Sequence, residues 1–180
     1  METFVTADLH FFHKRMATHW RDYPDVETMN DDLIAQWNDT IGVRDEVYVL
    51  GDLSFGNFSR TQEVFLQLNG KKYLVRGNHD GSPVLRQAWD DQWDFRRLKV
   101  NGRSIYMMHY PMLTWPNANK GTLHIHGHSH GNLQGSQSTR LDVGIDATGK
   151  IALSIDEVLV IMKDFRYDFV DHHKEGEDEY

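Results

Sequence analysis

The stretch Lys72–Asp80, KYLVRGNHD, decides the fold. Its first half is a short apolar run of strand composition. Its second half turns at once into a glycine, an amide, an imidazole and a carboxylate. Metal-type side chains delivered just past a strand's C-terminal end are a mark of open α/β sheets, where strand ends converge on loops that are free to vary. Four other runs repeat the arrangement. TFVTA (3–7) leads into Asp8-Leu9-His10, and EVYVL (46–50) into Gly51-Asp52. SIYMM (104–108) leads into His109, and TLHIH (122–126) into Gly127-His128-Ser129-His130. Taken singly, each group has an ordinary explanation: an Asp in a turn, a loop at a strand end, or a satisfied core histidine. All five in one order, each at a strand end, leave that explanation little room. A glycine precedes three of the groups, which lets the backbone turn sharply and approach an ion closely.

Between the earlier runs lie helical patterns. One starts near Asp25 and sets Met29, Leu33, Trp37 and Ile41 four apart on one face, with Gly42 as the stop. A second opens at Ser59, with Gln62 completing a capping box, and ends at Asn69-Gly70. Ser82-Pro83 reads as a cap with proline at the first helical position, leading into Leu85, Ala88 and Trp89. A last helix begins at the capping box Ser154–Glu157 and runs to about Phe165. The second half is richer in strands: Asn101-Gly102 signals a hairpin, and RLDVGID (140–146) and KIALS (150–154) read as further strands.

At 180 residues, 39% hydrophobic and 26% charged, the chain fits one globular domain, 1–166, followed by an acidic tail, 167–180. The His172-His173 pair in that tail reads as solvated. There is no cysteine, so any metal must be held by nitrogen and oxygen. Net charge is −8 with no Lys/Arg-rich stretch, which argues against a protein that coats nucleic acid. METFVTADLH has no basic and apolar leader pattern, and no apolar run approaches a membrane span; the expected location is cytoplasmic.

The ordered set D-x-H, G-D, G-N-H-D, H, G-H-x-H resembles the calcineurin-like metallophosphoesterase family, with every element present between residues 8 and 130. The chain also resembles the family's short bacterial and phage-type members, which carry no separate cap domain. The resemblance implies an α/β fold, a four-layer α/β/β/α sandwich of two mixed β-sheets flanked by helices. It implies two divalent metal ions, with Mn²⁺ favoured and Fe, Zn, Ni or Co also compatible with the donors. Carried over, one ion takes Asp8, His10, Asp52 and His130, and the other Asp52, Asn78, His109 and His128, with Asp52 bridging. Two dications against Asp8, Asp52 and a bridging hydroxide leave about one positive charge, attractive to a phosphate ester.

The family's activity implies phosphodiester hydrolysis by that hydroxide, with His79 assisting the leaving group as general acid and Asp80 orienting His79. A phosphomonoesterase or a nuclease acting on nucleic-acid ends would use the same site, so the substrate is a phosphate ester, with a nucleotide or a nucleic-acid end among the options. A non-catalytic scaffold is disfavoured, because the ligand set is complete and His79 is retained. Of the neighbours, His13, Lys14 and Arg15 either meet a phosphate or form a solvated helix start. Arg76 is read as pairing with a carboxylate instead of meeting a phosphate, and Asn57 as lining the cleft. Tyr110–Trp115 is read either as an aromatic wall for the substrate or as core packing. His124 is assigned to packing or to hydrogen bonding behind the ligands, and His126, nearer the site, to hydrogen bonding with a ligand from behind.

Overall fold

The computed structural model describes residues 1–133 and 140–164. The tail beyond them, with His172, His173 and the expected boundary at 166, lies outside the described residues, as does Phe165. The strands are β1 (Thr3–Thr6), β2 (Glu46–Val49), β3 (Lys71–Val75), β4 (Asp91–Trp93), β5 (Arg96–Val100), β6 (Arg103–Met107), β7 (Leu123–His126), β8 (Arg140–Asp142) and β9 (Leu153–Ser154). They form two sheets, ordered β4-β3-β2-β1-β9 and β5-β6-β7-β8. In the first, β1 to β4 are parallel and β9 is antiparallel to β1. In the second, β5 is antiparallel to β6 and the rest are parallel. Both sheets are therefore mixed.

The period of two along the central strands explains the layers. Phe4, Val47, Val49 and Leu74 face one way, into a core they share with Met29, Leu33 and Trp37 of α1 (Val26–Thr40) and Val64 and Phe65 of α2 (Phe58–Gln67). Val5, Tyr48, Leu50 and Val75 face the other way, onto Ile105, Met107, Leu123 and Ile125 of the second sheet. Strands buried on both faces must read as apolar runs, and these do. The outer face of the second sheet is covered by a 3₁₀ turn, Ala118–Lys120, through a small cluster of Tyr106, Trp115 and Ala118.

Local signals meet the structure unevenly. Asp25 caps α1, its side chain accepting from Thr28 N, but the helix ends with an extended Ile41, and Gly42 is not a left-handed stop. The second helix does not open at Ser59: Asn57 caps it, accepting from Arg60 N at 3.0 Å. The third, α3 (Ser82–Leu85), starts one residue earlier than read, on Gly81, and leaves Ala88 and Trp89 outside. The run 140–146 is a strand only to Asp142; Gly144 then caps α4 (Ile145–Thr148). The reciprocal capping box of Ser154 and Glu157 is present and opens α5 (Ile155–Ile161). Asn101 and Gly102 both have positive φ, 49° and 79°, as the tight turn between β5 and β6 demands.

Candidate functional site

The five loops that carry the candidate ligands meet at one edge of the two sheets. Beyond β1 the chain runs beside residues 51–54, with Asp8 N, His10 N and Phe11 N donating to the carbonyls of Gly51, Asp52 and Leu53. Asp8, His10, Asp52, His128 and His130 all have positive φ, between 48° and 69°. This is a region that side-chain-bearing residues visit rarely, and such residues gather where function over-determines the backbone. Among the described residues, five of the nine non-glycine residues in it are candidate ligands. The approach is close enough that a side chain at Gly77 or Gly127 could not fit: a Cβ would lie 2.7 Å from Asp52 N or from Asp8 Oδ2, respectively.

The donors fall into two groups that share Asp52. In the first, His10 Nε2 and His130 Nε2 are 3.2 Å apart, and Asp8 Oδ1 lies 4.0 and 3.9 Å from them. Asp52 Oδ2 lies 4.0 Å from His10 Nε2. In the second, Asn78 Oδ1 is 2.9 Å from His109 Nε2 and 3.0 Å from His128 Nδ1, and Asp52 Oδ2 is 3.6 Å from His109 Nε2. Ligand atoms bound at about 2.1 Å to one cation stand about 3–3.5 Å apart, so both groups are near ligand spacing.

The donor chemistry fits divalent cations. Asp8 Oδ1 is buried with no hydrogen-bond partner among the described residues and looks onto imidazole nitrogens, an arrangement that a cation would satisfy. Burial pushes the Asp8 carboxyl up to about 7, and the neighbouring Asp52 adds to the rise while His130 opposes it. Burial holds His10 down to about 2, so its ring is neutral, the form that ligates. His109 Nδ1 is 2.8 Å from Leu50 O, and His130 Nδ1 is 2.6 Å from Asp146 Oδ2. With Nδ1–H donated there, Nε2 of each ring presents its lone pair to the cluster.

Several residues have roles that sequence reading misses or misassigns. Asp80 does not orient His79. Its Oδ2 accepts from Gly77 N and Asp52 N and its Oδ1 from Leu53 N, at 2.8, 3.0 and 3.0 Å, so it clamps the two loops together. Burial pushes its carboxyl up against the pull of those three donors. His79 is fixed through its backbone instead: its N–H donates to Asp52 Oδ1 at 2.9 Å, while its half-exposed ring packs on Phe55, centroids 4.8 Å apart. Asp146 and Arg21 have no motif. Arg21 grips both Asp146 oxygens at 2.8 Å and the carbonyls of Asp8 and Leu9, tying the first ligand loop to the last. Burial would raise Asp146, but the hydrogen bonds from His130 and Arg21 hold it below the ordinary carboxylate range.

Asn57 is exposed and spends its carbonyl on capping α2. Trp115 is buried against Tyr106 and Ala118, on the packing side of its two readings. Tyr110 is half exposed beside the site, its ring 4.6 Å from that of His128. Arg76 pairs with Asp94 at 3.1 Å, the carboxylate alternative. His13 lies beside His10, centroids 5.7 Å apart.

His124 and His126 differ from the two histidines that follow. His124 is buried and satisfied at both nitrogens, Nδ1 donating to Tyr106 O at 3.0 Å and Nε2 accepting from Met112 N at 3.1 Å. His126 Nδ1 donates to Gly127 O at 2.8 Å, bracing the ligand loop. Burial holds His124 down to about 3, so the folded chain keeps it neutral where the unfolded chain protonates it below about 6.5. Its contribution to stability is therefore full above pH 6.5 and lost as pH falls towards 3. His124→Phe should leave bound metal unchanged and lower stability by about 2–4 kcal/mol, because two buried backbone groups lose partners. In chemical denaturation between pH 6.5 and 4, the slope of its stability against pH should shrink by up to ~1.4 kcal/mol per unit, the value for one proton. Loss of metal in this variant would place His124 in the ligand set.

A sequence model of the calcineurin-like phosphoesterase superfamily domain matches residues 1–143. An uncharacterized protein of Methanocaldococcus jannaschii is 33% identical over 132 residues, which is 72% of this chain and 69% of that protein. The gene 66 protein of Mycobacterium phage L5 is 28% identical, with 97% of both chains covered. The solved structure of a protein of unknown function from Aquifex aeolicus has the same fold, with a TM-score of 0.69 at 19% identity over 89% of this chain and 98% of that one. Coverage on this scale, over the strands that carry the donors, makes the chain a member of the calcineurin-like phosphoesterase superfamily, a metal-dependent family acting on phosphoesters.

Proposed function

We propose that the protein is a phosphodiesterase using two divalent cations, with Mn²⁺ the favoured metal. The observation that carries the reading is one buried carboxylate, Asp52, common to two groups of nitrogen and oxygen donors. Asp8, His10, Asp52 and His130 would hold one ion, and Asp52, Asn78, His109 and His128 the other. When bound, the cations would supply Lewis-acid charge for a phosphoryl group and acidify a water. His79 stands half exposed at the mouth, where its ring can give a proton to the leaving oxygen. Asp80 acts one step back, holding the loops that carry Asp52 and His79. The exposure of His79 and Tyr110 describes an open mouth, which suits a phosphate substituted on two sides.

The test strips the protein with chelator, restores Mn²⁺, and compares initial rates on bis(p-nitrophenyl) phosphate and p-nitrophenyl phosphate. Metal-dependent turnover favouring the diester is the expected result. A preference for the monoester would move the protein to the phosphatases. Cleavage of an oligonucleotide with a KM that climbs steeply with salt would mark a nuclease. No turnover of either, with two metals bound, would end the reading.

A further inference from the structure

Beside the donor cluster the chain makes an unusual excursion. Phe12 and Asp22 both have positive φ, 64° and 57°, and between them Met16–Trp20 forms a π-helical turn. Such turns are rare and frequently occur at functional sites. Between this turn and the loop His128–Asn132 lies a groove of about 620 Å³. That is within the usual size range of small-molecule sites. The candidate ligands His128 and His130 line the groove, and so does Trp20.

Two lining residues, His13 and Trp20, keep part of their side chains free of the fold's own hydrogen bonding and burial among the described residues. His13 Nδ1 accepts from Met16 N at 2.9 Å. In the neutral ring the proton must then sit on Nε2, which has no hydrogen-bond partner among the described residues and belongs to a side chain lining the groove. The Phe55 ring, 4.3 Å from it and edge-on, holds the imidazole in place. Trp20 is 65% exposed, yet it is the largest side chain on the wall. Arg15 adds a cation, and the carboxylate on the wall, Asp146, is already matched by Arg21 and His130.

We propose that this groove seats the phosphate ester itself, with His13 Nε2–H donating to a phosphoryl oxygen and Trp20 stacking on a planar substituent. The proposal deepens the phosphoesterase reading and rests on it. It assigns the substrate to esters that carry a flat ring next to the phosphorus, such as an aryl or nucleoside-type group. His13 acts on every ligand with a phosphoryl oxygen, and Trp20 only on those with a ring, so the two leave separate signatures.

Phenylphosphonate and methylphosphonate, which cannot be hydrolysed at phosphorus as esters are, serve as probes on the Mn²⁺-loaded protein, with binding read by calorimetry. The parent should bind phenylphosphonate about tenfold more tightly, the size of a stacking contribution. Trp20→Ala should abolish that preference and leave methylphosphonate affinity unchanged. His13→Asn keeps an acceptor for Met16 N but has no donor at the Nε2 position, and should weaken both probes by about tenfold. His13→Gln, whose amide reaches that position, should recover most of the loss. Metal content and melting temperature should stay constant across the series. Equal affinity of the parent for the two probes, or a preference that survives in Trp20→Ala, overturns the ring assignment. Full affinity in His13→Asn, or failure of His13→Gln to recover it, overturns the role of His13. Ester turnover is measured separately, so probe binding without turnover would defeat the phosphodiesterase reading and leave the groove standing.

Discussion

Asp52→Asn should lower diester turnover of the metal-loaded protein by about 10³-fold or more, while the metal-free protein becomes no less stable than the parent. The two halves of this expectation have one cause. Asp52 is 2% exposed, and its Oδ2 faces His109, His10 and His79 at 3.6, 4.0 and 4.0 Å. An amide of the same shape keeps an oxygen for the His79 N–H but loses the charge that both donor groups share. Charge stabilisation by a bound metal contributes several kcal/mol to a transition state, and about 4 kcal/mol corresponds to 10³ in rate.

Without metal the same carboxylate is a liability. It lies beside the buried Asp8, whose carboxyl is pushed to about 7 by burial and further by Asp52 itself. Removing one charge of the pair relieves that repulsion. Elemental analysis should find fewer than two metals per chain, and chelated samples should melt at or above the parent temperature. A variant that holds two metals and turns over normally would remove Asp52 from the bridging position. A variant that only melts lower, with turnover unchanged, would make the residue structural.

The same physics explains what can be read in the chain and what cannot. The strands that carry the candidate ligands were legible because two short-range signals coincide at each: a period-two apolar run that fixes the strand, and a polar group at its end that no strand core can bury unpaired. KYLVRGNHD carries both, and the structure brings its Asn78 to His109 and His128 as the pattern requires. Asp80 was misread because the letters of a His-Asp pair suggest a proton relay. Only the folded loops reveal that three backbone N–H groups reach its oxygens first. Asn57 shows a related limit: asparagine serves a cleft or a helix cap equally well, and only the folded helix start reveals the cap.

Arg21 and Asp146 were not legible at all. They are 125 residues apart, and their pairing depends on how the first ligand loop meets the turn after β8. No spacing rule along a chain encodes a contact of that kind. The same holds for the groove at Met16–Trp20, since a π-helical turn has no hydrophobic period of its own to detect.

His79→Ala should lower kcat by about 10²–10⁴-fold on a diester with an alkoxide leaving group, and far less on one that leaves as p-nitrophenolate. The contrast follows from where the ring stands. His79 is tied to Asp52 through its backbone N–H, so truncating the side chain leaves that bond and the loop in place. Neither donor group needs its imidazole, and metal content should match the parent. What is lost is a half-exposed ring, packed on Phe55, that can present Nε2–H to a leaving oxygen. A leaving group that is stable as an anion needs little help from a proton, whereas an alkoxide needs a great deal. The dependence of log kcat on leaving-group pKa should therefore steepen in the variant. A uniform loss across leaving groups would mean that His79 stabilises charge on the phosphoryl oxygens and moves no proton. A loss accompanied by falling metal content would mean that the ring supports the cluster, and the general-acid assignment would have to be abandoned.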